Sequence, residues 1–383
     1  MPRTDATRLR FLADRSVSVI LANQAPSGAY LASPEFPVYR YSWFRDGSFI
    51  ADAMSRAGHP ASAERFFGWC ARVLADRSAV VESLLARRLA GETIPPSDFL
   101  HTRYTVDGED SAEDWWTFQL DGYGTWLWAL GEHARRHGTS VAPYADAIAL
   151  SVRYLAALWS DPCYDWWEEH VEERHTSTLG ALFAGLDAAA RFEDLSPDVR
   201  AAATEAATEI RAATAARAIH QGRLTKWLDG TDLDASLVAC ATPFGLVEPG
   251  GPVAAATVAA LEQELAHDGV HRYAGDVYYG GGEWLLLAGL LGWHYAQVGR
   301  TEDAWRELRW IAAQSTADGH LAEQVSDHLL HPDSYAGWVA RWGPVATPLL
   351  WSHAMYLTLA LALGAASAPV GPEPTRGHGM IAG

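Results

Sequence analysis

The chain has 383 residues, with 47 Asp+Glu against 29 Lys+Arg and a formal net charge of −18. A composition that is 49% hydrophobic and 20% charged fills a large core and is not that of a disordered chain. The acidic balance argues against a general nucleic-acid binder, and no run of apolar residues is long enough to span a membrane.

Read in chain order, helical periodicity dominates. Apolar-periodic segments are predicted near 5–22, 47–58, 61–90, 118–137, 142–160, 176–191, 197–219, 233–241, 252–266, 283–297, 302–315 and 346–364. Asp46, Ser196 and Thr301 read as helix start signals, with Pro197 at a first helical position. Gly138, Gly222 and Gly299 read as stops. The connections alternate. Those after even-numbered segments are mostly short, and those before them are long and aromatic: 23–46, 91–117, 161–175, 220–232, 267–282 and 316–345. Twelve helices in six hairpins suggest an α/α toroid with every long loop at one end. An irregular all-α domain would scatter those loops, and the alternation favours the ring. A loose Gly/Pro/Ala-rich tail is expected over 365–383, after a single catalytic domain at 1–364.

The N-terminus has no apolar signal core, and a cytoplasmic location is expected. Cys70, Cys163 and Cys240 are too few and too scattered for a disulfide framework and read as buried thiols. His170 and His175, five apart, do not share a helix face, and there is no HExxH. Gly280–Gly282 lacks the ending of a phosphate loop, no GxSxG elbow occurs, and no aspartate-rich DDxxD cluster occurs. No metal and no cofactor are expected.

The distinctive content is aromatic: 17 Trp, 14 Tyr and 11 Phe. Much of it stands beside Asp, Glu and Arg in the long loops. Carboxylates accept hydrogen bonds from hydroxyls, Arg donates them, and flat aromatic faces suit the C–H face of a pyranose. An acidic-aromatic funnel at one end of the ring is the chemistry of a carbohydrate site. Glycosidic hydrolysis needs one carboxyl as proton donor and one carboxylate as base or nucleophile. Glu168, after two tryptophans and beside Glu169 and Asp165, is expected to hold its proton. Glu323, in a separate loop, is expected to stay ionised with help from Arg272 and Arg45.

The loop motifs YRYSWFRD, WWTFQLDGYG, YDWWEEH, RYAGDVYYGGGEW, LAEQ and PLLWSHA, all in order, resemble glycoside hydrolase family 15, the glucoamylase family. The resemblance spans the chain from about Tyr39 to about Leu363. It implies an (α/α)6 barrel and exo-acting, inverting release of glucose from non-reducing ends. It also implies Glu168 as general acid, Glu323 as general base, and Arg45 with Asp46 gripping the terminal glucose. By the same motifs Trp115 is a subsite platform. Arg272 and Asp276 line the sugar site, Tyr39 and Trp351 stand beside the base and terminal sugar, and Glu169 binds the sugar beyond the scissile bond. Tyr41, Trp43, Asp121, Trp167 and Tyr278, in the same motifs, complete the candidate sugar-contacting set.

The chain departs from larger bacterial members, which carry a β-sandwich before the barrel. It looks like single-domain members acting on short α-1,6-linked glucosides such as isomaltose. An α-1,4-glucosidase, a trehalase-like hydrolase and a non-catalytic carbohydrate-binding toroid are the alternatives. The segment 326–344 either walls the site or is a packing loop. The expected partner is a small oligosaccharide, with no nucleic acid and no membrane, and the protein is expected to be a monomer.

Overall fold

The computed structural model describes residues 3–366 apart from 112 and 114, with the side chains of 3–5 left out. Among the described residues fourteen α-helices follow one another. They are α1 (Arg3–Ala22), α2 (Phe44–Arg56), α3 (Pro60–Asp76), α4 (Ser78–Leu89), α5 (Asp121–His137), α6 (Ala145–Leu158), α7 (Thr176–Ala189), α8 (Pro197–Arg217), α9 (Val238–Ala241), α10 (Pro252–Glu264), α11 (Leu285–Gln297), α12 (Thr301–Ala313), α13 (Pro332–Trp342) and α14 (Leu350–Ala362). Three two-stranded ribbons decorate the loops: β1 (Ser42–Trp43) with β2 (Arg103–Tyr104), β3 (Ile219–His220) with β4 (Arg223–Leu224), and β5 (Glu283–Trp284) with β6 (Gln324–Val325), all antiparallel.

The helices close into two concentric rings. In the inner ring α2 packs on α5, α5 on α7, α7 on α9, α9 on α11, α11 on α14, and α14 back on α2. Outer helices α1, α3, α6, α8, α10 and α12 each pack on an inner one. This is the (α/α)6 barrel. The inner helices are buried nearly all round, as doubly covered helices are: in α11 every residue from Leu285 to Tyr295 is buried. The tightest crossing is α5 on α7. A Cβ at Gly124 would lie 2.5 Å from the Ala181 carbonyl oxygen, and one at Gly185 would lie 2.2 Å from that of Gly124. Only glycine permits this approach.

All six inner helices start at the same end of the ring, where the six long loops deliver the chain. The floor of that end is a stack of aromatic rings on the barrel axis. Phe49 meets Trp351 at 5.2 Å between centroids and Trp166 at 5.9 Å, with Phe244 and Trp128 around them.

Local expectations need correction in places. The segment 61–90 is two helices, because Arg77 turns to bond the Gly108 carbonyl and Asp110 and to stack on Tyr104. The segment 233–241 is reduced to a 3-10 turn and α9. Asp46 lies inside α2 and Thr301 opens α12, so neither is the cap; Ser196 is, accepting the Val199 N–H. Gly138 ends α5 at φ 65°, whereas Gly222 turns the β3–β4 ribbon. The segment 326–344, expected to lack a helix, contains α13. The three cysteines are buried and free. Most of the expected tail, 367–383, lies outside the described residues; Ala366 is still packed. Among the described residues no helix is long and apolar enough to cross a membrane.

Candidate active site

The loop between α6 and α7 makes a tight turn at 165–170. Asp165 sits at its base, and one carboxylate oxygen accepts the N–H groups of Trp167 and Glu169, each at 2.9 Å. This side-chain turn holds Glu168 at φ 66° and His170 at φ 51°, left-handed conformations that non-glycine residues rarely adopt. The strain aims the Glu168 carboxyl into the cavity. There Trp43 Nε1 donates to its Oε1 at 2.9 Å and Gln119 Nε2 donates to the same oxygen at 3.1 Å.

Glu323 arrives from the α12–α14 loop. It is fixed by the β5–β6 pairing next door and by its N–H on the Ala346 carbonyl. Tyr39 O–H donates to its Oε1 at 3.1 Å, and Tyr278 O–H lies 3.0 Å from that of Tyr39. Its other oxygen, Oε2, is buried with no hydrogen-bond partner among the described residues. Tyr39 and Trp43, edge to face at 5.6 Å, bridge the two glutamates.

Arg45 and Asp46, at the start of α2, form one end of the cavity. Arg45 Nη1 donates to Gln119 Oε1 and Asp121 Oδ2, both at 2.9 Å, and its Nε lies 3.4 Å from Asp46. Opposite, Arg272 pairs with Asp276 through two N–H groups and lies 3.5 Å from Glu169. It is framed by the rings of Trp167, Tyr278 and Trp284. Trp115 stands over the buried guanidinium of Arg103 at 3.6 Å. Trp338 and Trp342 of α13 complete the wall, Trp338 packed against Tyr278 and Tyr279. Thus the 326–344 segment does wall the cavity. The cavity volume is about 170 Å³, and it opens to solvent at its mouth.

The electrostatics differ from expectation. Burial pushes the Glu323 carboxyl up to about 8; Arg272 and the tyrosine hydroxyls oppose this, and Asp46 adds to it. Arg272 is committed to Asp276, and Arg45 to Asp121 and Asp46, so neither neutralises Glu323. Asp46 is likewise raised, to about 6, by burial, against the pull of Arg45. The arginines expected to help hold Glu323 ionised each have a carboxylate of their own, and Arg272 offsets only part of the effect of burial.

These loops, this ring and two opposed glutamates can be compared with known proteins. The sequence profile of Glycosyl hydrolases family 15 matches residues 7–305. The chain belongs to that family. It is 52% identical to the isomaltose glucohydrolase of Kribbella flavida, over 94% of each chain. It is 28% identical to the trehalase of Mycolicibacterium smegmatis over 65% of this chain and 40% of that one. Its structure superposes with a TM-score of 0.94 on a glycosidase, solved among other forms as a glutamate-to-alanine variant in complex with glucose. That protein is 50% identical, and the match covers 96% of this chain and all of the other. A bacterial glucoamylase complexed with acarbose, 19% identical, shares the fold at a TM-score of 0.70 over 92% of this chain and 55% of that one.

In this family 15 chain the structure brings most of the expected site residues to one cavity. Tyr39, Trp43, Arg45, Asp46, Trp115, Trp167, Glu168, Glu169, Arg272, Tyr278, Glu323 and Trp351 all line it. Asp121, Asp276 and Tyr41 stand one layer behind. The two aspartates are fully buried partners of Arg45 and Arg272, and Tyr41 lies against Arg103. Sequence reasoning missed Gln119 as a donor to Glu168, Arg103 behind Trp115, and Trp284 and Trp338 in the wall. It also passed over Lys226, whose signal was plain: no other lysine occurs in the chain. His353 is buried between the Ser16 hydroxyl and the Leu321 N–H, and burial lowers its pKa to about 3.

Proposed function

We propose that this family 15 hydrolase removes glucose from the non-reducing end of short α-1,6-linked glucosides such as isomaltose, with inversion to β-glucose. The observation that carries the substrate is the 52% identity to an isomaltose glucohydrolase along 94% of both chains. Arg45 and Asp46 line the cavity with groups that suit the hydroxyls of a terminal glucose, which supports an exo-acting enzyme.

In this mechanism the terminal glucose sits against Arg45, Asp46 and Trp351, and the next sugar lies toward Glu169 and Trp115. Glu168 gives its proton to the glycosidic oxygen as the C–O bond breaks. A water held on Oε2 of Glu323 attacks the anomeric carbon from the other face and gives its proton to that carboxylate. Tyr39 steadies the opposite oxygen of Glu323. A turnover leaves Glu168 ionised and Glu323 protonated, and exchange with solvent restores both.

A second reading has an observation behind it. The raised pKa of Glu323 and the two N–H donors on Glu168 suit the reverse roles, with Glu323 as acid and Glu168 as base. One comparison separates them. α-Glucosyl fluoride needs no proton on its leaving group, so loss of the acid spares its hydrolysis relative to isomaltose, and loss of the base does not. Glu168→Gln should lose isomaltose hydrolysis by several orders of magnitude and retain far more of the fluoride reaction. If Glu323→Gln is the spared variant, the roles are exchanged. NMR of the first product should show β-glucose, and α-glucose refutes inversion. A panel of isomaltose, maltose and trehalose at equal concentration tests the linkage; higher kcat/KM on maltose or trehalose refutes it.

A further inference from the structure

The chain's one lysine, Lys226, is buried directly behind the turn that carries Glu168. Its Nζ lies 3.1 Å from Asp234 Oδ2 and 3.6 Å from Asp165 Oδ2, and 3.4 Å from the centre of the Tyr273 ring. These are ion pairs by distance rather than aligned hydrogen bonds. Asp165 Oδ2 and Lys226 Nζ are both buried without a hydrogen-bond partner among the described residues. Each of these three partners is tied to the site. Asp165 is the acceptor that shapes the 165–169 turn. Asp234 accepts from Trp167 Nε1 at 2.9 Å and from the Ser236 N–H and O–H. The Tyr273 hydroxyl donates to Glu169.

The arrangement has a physical requirement. Two aspartates at 2% and 1% exposure lie around one point, and burial disfavours their ionised forms. Asp165 is raised by burial, with Lys226 the leading opposing influence and Asp234 adding to the rise. Without a cation between them the two carboxylates would repel. The turn would lose the ionised acceptor that keeps Glu168 left-handed. Elsewhere arginine supplies the chain's buried cations; this position takes a point charge, which fits among two carboxylates and a ring face where a planar fork would not align with all three.

We propose that Lys226 is a positioning residue of the hydrolysis. It neutralises Asp165 and Asp234, and through the 165–169 turn it holds Glu168 in its reacting position. The inference rests on the reading of Glu168 as one of the two reacting carboxyls, and its test does not depend on which role Glu168 plays. Lys226→Met keeps the stem and removes the charge. Its kcat on isomaltose should fall at least tenfold, and its ratio of isomaltose to α-glucosyl fluoride turnover should move in the same direction as that of Glu168→Gln. Equal loss on both substrates while Glu168→Gln discriminates between them would overturn the proposal. So would native kcat in Lys226→Met. If Glu168→Gln itself keeps native turnover, the reading of Glu168 fails, and that control alone reports it.

The pH profile is the second readout. The groups facing Lys226 are Asp165 and Asp234 on either side, Tyr273 across it and His175, whose pKa burial lowers to about 4. The pH profile of kcat/KM should be displaced in Lys226→Met relative to the native enzyme. An undisplaced profile refutes the proposal. Should Lys226→Met fail to fold, Lys226→Gln, which also removes the charge and keeps a polar end, is measured in its place with the same expected fall in kcat and the same movement of the substrate ratio. Native kcat in a folded Lys226→Gln overturns the proposal.

Discussion

Replacing Glu323 by glutamine should abolish hydrolysis and make the protein more stable near neutral pH. The side chain is 3% exposed, and burial raises its pKa from 4.5 to about 8. A carboxyl whose folded pKa is raised binds its proton more tightly in the native chain. Stability is then unaffected below about pH 4.5, where both states are protonated, and falls as pH rises toward 8. By pH 7 the unfolded chain has been ionised over about 2.5 pH units while the native chain has held the proton. At about 1.4 kcal/mol per pH unit the penalty is about 3 kcal/mol. Water reaching Oε2 through the mouth lessens it, so this is an upper bound. With an unfolding entropy of about 2 cal/mol/K per residue, the corresponding change in Tm for this chain is about 4 °C. Glutamine has the same shape, can still accept from Tyr39 and never ionises. Melting curves of the two proteins should therefore coincide at pH 4 and separate progressively to pH 8, with the variant higher. A gap that is absent at pH 7, or that does not close toward pH 4, would refute the burial argument. The penalty also has a functional side: a carboxylate without a cation of its own is a stronger base toward water than a paired one.

With Glu323 as base, the rising limb of kcat/KM should lie near neutrality, since activity appears only as the carboxyl ionises. Asp46→Asn should move that limb to lower pH, because the Asp46 charge is one of the influences raising Glu323; a limb near pH 4 in the native enzyme contradicts this. Trp43→Phe removes the N–H that donates to Glu168 at 2.9 Å and keeps the ring. Its kcat should drop about tenfold, the worth of one hydrogen bond to a charged group, with little change in KM; a rise in KM alone would reassign Trp43 to sugar binding. Trp338→Ala opens the α13 wall and should raise kcat/KM for longer isomalto-oligosaccharides relative to isomaltose; an unchanged ratio would leave α13 without a role in chain length. EDTA should leave hydrolysis unchanged, because the cavity's carboxylates are engaged by Arg, Tyr and N–H donors. The His267, Asp268 and His328 ligand atoms, within 4.8 Å of one another, belong to exposed residues outside the lining. Activity lost to EDTA and restored by zinc would direct attention there.

Much of the site was legible because its residues stand in short motifs at the mouths of predicted helices. Arg45 and Asp46 open α2, Asp121 opens α5 and Trp351 lies in the first turn of α14, so loop position located them. What escaped depended on neighbours distant in sequence. Gln119 fell inside the segment predicted as a helix over 118–137 until the fold placed it between Arg45 and Glu168, ahead of α5. Arg45 and Arg272 looked available to Glu323 until Asp121 and Asp276 were found to hold them. Lys226 lay in the 220–232 loop, and its partners Asp165 and Asp234 met it only in the fold.

The sequence by itself determined the ring of helices and the end at which chemistry occurs. Helical period, alternating loop lengths and the placement of Trp beside Asp and Glu are all local properties, and local properties survive in a linear reading. The tertiary structure alone decided which tryptophans seal the floor, which wall the cavity, and which carboxyl is costly to ionise. Those depend on burial and on which cation reaches which anion first. Both are set by residues far apart in the chain, so neither charge pattern nor spacing reveals them.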